Sequence, residues 1–168
     1  MLGVHGSGLW AVGDGGQSLM AGINLSYELA PSVTALFSYY KLSTEAEQSN
    51  DFFRYSDHLA SDSLSFGLVA QENSRWQYGL FATQPVRMHD SQATLSLPTR
   101  YDGRSLSYSD VDLDLVPEGQ HMEYELAVSW TPDSLPVTGK FNLIRVEDYG
   151  NVVGNNDNIA LFSLGFPF

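Results

Sequence analysis

The chain has no cysteine among its 168 residues. That excludes a disulfide framework, thiolate metal sites and cysteine nucleophiles. Basic residues are scarce: 8 Lys and Arg stand against 20 Asp and Glu, and the net charge is −12. Only Lys41 and Lys140 are lysines. A nucleic-acid partner is therefore not expected, because phosphate binding wants a basic face. No apolar run approaches the roughly 20 residues that a membrane helix needs. This excludes helical spans and leaves membrane strands open, since their signal per segment is weaker.

Chemistry-bearing motifs are also thin. His5, His58, His89 and His121 lie far apart in or beside expected loops, with no metal-ligand spacing. There is no G-x-S-x-G elbow, and Gly6-Ser7-Gly8 reads as a flexible turn. Neither a catalytic nor a metal site is expected, no cofactor is implied, and the reading is non-enzymatic.

What is present is β alternation from start to finish, punctuated by Gly, Pro, Asn, Asp and Ser clusters. Expected strands run over Leu2–Val12, Ser18–Leu29, Val33–Thr44, Asp62–Gln71 and Trp76–Thr83. Others cover Ala93–Pro98, Leu106–Leu115, Met122–Trp130, Lys140–Leu143 and the terminal Ile159–Phe168. Met122–Trp130 is the clearest case. Met122, Tyr124, Leu126, Val128 and Trp130 share one face, and Glu123, Glu125, Ala127 and Ser129 the other. Asp102-Gly103 signals a hairpin. Leu106 and Tyr108 fall on even positions but Val111, Leu113 and Leu115 on odd ones, so a bulge is expected near Ser109–Asp110. Arg87–Ser91 and Glu45–Ser61 read as loops.

About ten strands in one domain, residues 1–168, point to an all-β, closed, antiparallel up-and-down transmembrane barrel. Connections alternate in length. Ala30–Ser32, Glu72–Ser74, Asp102-Gly103 and Pro132–Pro136 would be short turns at one end. Glu45–Ser61 and Glu147–Asn158 would be long loops at the other. Tyr27, Trp76, Tyr101, Trp130 and Phe168 would line the turn end, at the depth where aromatic rings favour a bilayer interface.

The end of the chain carries Phe162, Leu164, Phe166 and Phe168 on one face. Termini tend to fray into water, so an apolar terminal face makes sense where lipid covers it. This ending resembles the C-terminal assembly signature of bacterial outer-membrane barrels. No basic-then-apolar leader stands at Met1–Gly8. On that reading the chain is expected to be a mature form or the back end of a longer precursor.

Two internal stretches carry a second resemblance. They contain Gln84-Pro85-Val86-Arg87, Thr94-Leu95-Ser96-Leu97-Pro98 and Asp114-Leu115-Val116-Pro117-Glu118-Gly119, and the chain then closes through Leu164-Gly165-Phe166. Over roughly the last 90 residues the sequence resembles the C-terminal translocator barrel of subtilisin-type serine-protease autotransporters. It departs at Gln120-His121, where that family has a basic-acidic pair, and at Pro167-Phe168, which extends the usual ending. The resemblance implies a twelve-stranded outer-membrane barrel that anchors a passenger and helps it cross. Its implied partners are the lipid bilayer, the outer-membrane assembly machinery and the passenger or linker of the same precursor. A small stand-alone outer-membrane pore or structural barrel is the alternative, and a soluble lipocalin-like ligand-binding barrel the second.

The strongest polar constellation is acidic. Asp110, Asp112 and Asp114 alternate on one expected strand, and Glu123 and Glu125 on the next, across the Pro117–Gly119 hairpin. Both sets oppose the apolar face and would point into a lumen. Crowded carboxylates raise one another's pKa unless cations are near, and Lys140 is the expected counter-charge. Such a lumen would receive a basic segment or simply hold water. The D-x-D-x-D spacing matches the start of an EF-hand loop, but that loop's Gly and distal Glu are missing.

Overall fold

A computed structural model describes residues 16–46, 52–55, 59–73, 75–133 and 137–166. The chain is all-β with antiparallel sheets. Its strands are β1 (Gly16–Ala30), β2 (Val33–Ala46), β3 (Phe53–Tyr55), β4 (Leu59–Gln71) and β5 (Trp76–Asp90), then β6 (Gln92–Tyr101), β7 (Leu106–Asp114), β8 (Met122–Trp130), β9 (Thr138–Glu147) and β10 (Asp157–Gly165). Among the described residues ten strands are present, and they are not the ten expected. Leu2–Val12 lies outside the described residues, and β3 falls where a continuous polar loop was expected.

Two compact units are present: Met1–Ala21, Lys41–Ser61 and Met88–Val116 in one, Gly22–Tyr40, Asp62–Arg87 and Pro117–Phe168 in the other. The strands form a seven-stranded sheet of order β1-β2-β4-β5-β8-β9-β10 and a three-stranded sheet of order β3-β6-β7. β8, β9 and β10 fall wholly in the second unit and β3, β6 and β7 in the first, while β1, β2, β4 and β5 divide between them.

Two readings of local detail change and one holds. The expected Arg87–Ser91 loop is mostly strand, because β5 runs on to Asp90 and only Ser91 separates it from β6. Pro85 does not stop it, as proline is tolerated where its missing N–H is not needed by a neighbour. The bulge lies on β6 between Pro98 and Arg100, not near Ser109–Asp110. Pro98 cannot donate to the ladder, so the irregularity settles beside it. The Asp102-Gly103 signal is a real turn, closing the last pair Tyr101↔Leu106. Asp102 accepts the backbone N–H groups of Arg104 and Ser105, and Gly103 takes φ +87°.

Strand partners are the largest change. β7 pairs with β6, and β8 pairs with β5 and β9. The hairpin expected between β7 and β8 is absent. Like charges on adjacent strands are destabilising, and that hairpin would have set the aspartate row beside Glu123 and Glu125. In the observed pairing the aspartates meet hydroxyl groups and an arginine instead.

Candidate functional site

The register of β5, β8, β9 and β10 sorts side chains into rows across the sheet. On one face the rows read Trp76–Trp130–Gly139–Leu164, then Tyr78–Val128–Phe141–Phe162, then Leu80–Leu126–Leu143–Ala160. The fourth row on that face is Ala82–Tyr124–Arg145–Asn158. The opposite face carries Gln77–Ser129–Lys140–Ser163, then Gly79–Ala127–Asn142–Leu161, Phe81–Glu125–Ile144–Ile159 and Thr83–Glu123–Val146–Asp157. The faces assigned to Met122–Trp130 from alternation are those observed.

Exposure runs against the rule for water-soluble proteins. Most large apolar side chains of the first face, Leu64 and Phe66 of β4 included, are 36–69% exposed, and Val128 and Leu68 are half-buried. Ser65, Thr83, Glu123, Glu125, Ser129 and Asn142 on the other face are half-buried. Among the described residues the only buried apolar side chains are Ala93 and Val146. The polar face is internally bonded. Ser65 and Thr83 hydroxyls meet at 3.1 Å, the Gln84 amide donates to Asp62 at 3.2 Å, and Asn142 donates to Glu125. Two glycines make room on this face for an aromatic ring. A Cβ on Gly67 or Gly79 would stand 2.7 or 2.5 Å from the ring of Phe81.

Of the short turns expected at one end, Ala30–Ser32 is present within this unit, and Glu72–Ser74 and Pro132–Pro136 lie partly outside the described residues. Ser32 accepts from Gln71 N–H at 2.8 Å, and Thr131 N–H donates to Arg75 at 2.8 Å. Trp76 and Trp130 lie 6.0 Å apart at that end, with Tyr78 stacked on Trp76 at 6.3 Å, and Arg75 pairs with Asp133. Tyr27 stands near the β1–β2 turn, 69% exposed. Phe162, Leu164 and Phe166 are exposed as well. Tyr101 belongs to the other unit, at the β6–β7 turn. Phe168 lies outside the described residues.

The acidic constellation is divided between the units. Asp110 pairs with Arg54 at 2.8 Å and accepts from Ser96 at 2.5 Å. Asp112 accepts from Thr94 at 3.0 Å, and Asp114 from the Val116 N–H at 2.9 Å. The partners of Asp110 and Asp112 sit on β3 and β6, which no local pattern could have revealed, and that of Asp114 is local. Glu123 and Glu125 share their face with Lys140, as expected, but Lys140 lies four residues along the ladder from the row of Glu125, about 13 Å away. Among the described residues no three His, Asp or Glu side chains converge as metal donors.

Alternation missed a loop cluster at the far end of the same unit. The Arg87 guanidinium donates to the carbonyls of Gly119 (3.1 Å) and Pro117 (2.9 Å), and Gln120 donates to Gln84 (2.8 Å). Gly119 N–H donates to the Asn151 carbonyl at 3.0 Å, and His121 N–H to its side chain at 3.1 Å. The His121 ring lies edge-on to Tyr149 at 5.5 Å, its Nε2 3.2 Å from Glu123. Thus Arg87 meets Pro117 and Gly119, from a separate stretch of the chain, while Gln84 meets Gln120.

Asp148 ties the cluster together. Its carboxylate accepts the N–H groups of Gly154 at 2.8 Å and Gln120 at 3.1 Å, which hold its pKa below the ordinary carboxylate value. A depressed folded pKa contributes stability that is complete above about pH 4 and lost as pH falls through the lowered value. The protection factors of the Gln120 and Gly154 amides, taken relative to intrinsic exchange at each pH, should therefore be high at neutral pH and fall below about pH 4. Asp148→Asn should abolish this acid sensitivity; an unchanged profile in that variant would refute the role given to the carboxylate.

No protein-family model, curated protein or solved structure matches this chain.

Proposed function

We propose that this chain is a non-enzymatic outer-membrane β-barrel domain that anchors an autotransporter passenger in the bilayer and helps it cross. The observation that carries this reading is a reversal of the two faces over β4, β5, β8 and β9: on one face most large apolar side chains stand exposed, while on the other several hydroxyl, amide and carboxyl groups are half-buried, among them the bonded pairs Ser65–Thr83 and Glu125–Asn142. In water, leaving that many large side chains uncovered would forgo about 1.5–3 kcal/mol for each one that a core could have buried. In lipid the same face is the favourable one, and backbone pairing leaves few polar groups to satisfy. β8, β9 and β10 have 9, 10 and 9 residues, against the roughly 9–11 that a tilted strand needs to cross. A soluble ligand-binding barrel would need the opposite assignment of faces.

Closure of the sheet is part of the same proposal. β1 and β10 are the edges of the seven-stranded order. Six antiparallel steps separate them, so they run in the same direction. Antiparallel closure then needs an even number of strands, and hence at least one strand beyond these seven. The passenger role is supported by the translocator resemblance and by the meeting of Arg87 with Pro117 and Gly119.

Refolding from urea tests the proposal. With detergent micelles, β circular dichroism and a compact, heat-modifiable gel band should appear; without them the chain should aggregate. A monodisperse folded monomer in plain buffer would overturn the membrane assignment.

A further inference from the structure

Of the 8 basic residues in the chain, Arg145 alone occupies the four exposed rows of β5, β8, β9 and β10. It stands in the fourth row, between Tyr124 and Asn158. A cation on a lipid-facing strand costs about 2–4 kcal/mol at the bilayer midplane and about 0–1 near the interface. The row of Arg145 therefore fits headgroup depth, at the end opposite Trp76 and Trp130.

Below this row lies a largely apolar trough of about 660 Å³, lined by Leu80, Leu126 and Leu143, with Tyr124, Arg145 and Asn158 at one end; Glu125, whose row lies on the opposite face, also contributes to its lining. Glu147 accepts from Nε of Arg145 at 3.1 Å. Among the described residues that is the one partner of the guanidinium, so its terminal nitrogens remain available for a forked contact to phosphate. The Asn158 amide and Tyr124 hydroxyl are further donors in the same row.

The geometry points to a site for one anionic bilayer lipid, with its phosphate on Arg145 and Asn158 and an acyl chain along Leu80, Leu126 and Leu143. Charge complementarity selects the headgroup and the apolar trough selects the chain. Neither half suffices alone, since a free phosphate leaves the trough empty and a neutral lipid leaves Arg145 unmatched. This inference rests on the membrane reading above.

The test uses the full chain in nanodiscs of phosphatidylcholine containing a minor fraction of phosphatidylglycerol. The lipid retained after detergent extraction is measured by mass spectrometry. Wild type should retain phosphatidylglycerol above its input fraction. Arg145→Gln should lower that enrichment about fivefold, the effect of roughly 1 kcal/mol per basic residue at an anionic membrane surface. Arg145→Lys, which keeps the charge, should retain most of it. Arg75→Gln, the same charge change at the opposite end of the sheet, should leave it unaltered. Millimolar inorganic phosphate should not compete.

Equal retention by wild type and Arg145→Gln, or equal losses in the Arg145 and Arg75 variants, would overturn the site while leaving the membrane reading intact. A chain that stays out of nanodiscs and binds palmitate in buffer would sink both.

Discussion

Leu126→Arg is expected to prevent refolding into micelles or to weaken it by about 2–4 kcal/mol, the cost of a basic side chain at the middle of a lipid-facing strand. Leu126 stands in the Leu80–Leu126–Leu143–Ala160 row, two rows from Trp130 and one from Arg145. It is 38% exposed, so no neighbouring side chain has to move to admit the longer residue. In water the same substitution at such a surface position would fall within about 0.5 kcal/mol of neutral. The two environments therefore predict opposite results from one variant. Glu125→Gln is the companion on the other face. Asn142 donates to Glu125, and the amide that replaces the carboxylate can still accept, so the loss should stay near 1 kcal/mol. Urea titration in micelles measures both. If Leu126→Arg refolds as well as wild type and Glu125→Gln does not, the faces are assigned the wrong way round.

The second large effect is expected at Gly119. A Cβ there would lie 2.5 Å from the carbonyl oxygen of Asn151, 2.6 Å from its carbon and 2.9 Å from the nitrogen of Val152. All three are backbone atoms, so no side-chain rotation relieves the clash. Gly119→Ala must part the 117–121 segment from the loop after β9. The bonds at risk are Gly119 to Asn151, Gln120 to Asp148 and His121 to Asn151. At about 1 kcal/mol each, the variant should lose roughly 2–4 kcal/mol of local stability. Rapid cleavage within residues 148–156 by a dilute protease should report it, with far-UV circular dichroism retained. Wild-type cleavage rates in Gly119→Ala would show that the loops are not held through this contact.

This cluster bears on the passenger proposal. In that proposal the loop end of the unit faces away from the periplasm, and Arg87 holds the 117–121 segment from a strand rather than from another loop. A guanidinium fixed to two carbonyls costs little to maintain, because the strand already orders its stem. Gln84 and Arg87, three residues apart on β5, both reach this segment.

Much of the larger unit was legible in the order of the residues. Period-two alternation is a local property, so Met122–Trp130 disclosed its own two faces and Phe162, Leu164 and Phe166 their exposed apolar one. Ala30–Ser32 and Asp102-Gly103 declared turns through residues that favour them. What alternation cannot state is which strand a strand will pair with. That choice depends on side chains far away in sequence: Tyr78 matched to Val128 and Leu80 to Leu126 draw β8 to β5, while Arg54, Thr94 and Ser96 draw the carboxylates of β7 to β3 and β6. The acidic constellation divides for that reason, and Lys140 ends some 13 Å from the glutamate it shares a face with. The position of Arg145 at the border of the apolar rows follows likewise from register, which is settled between strands and not within one.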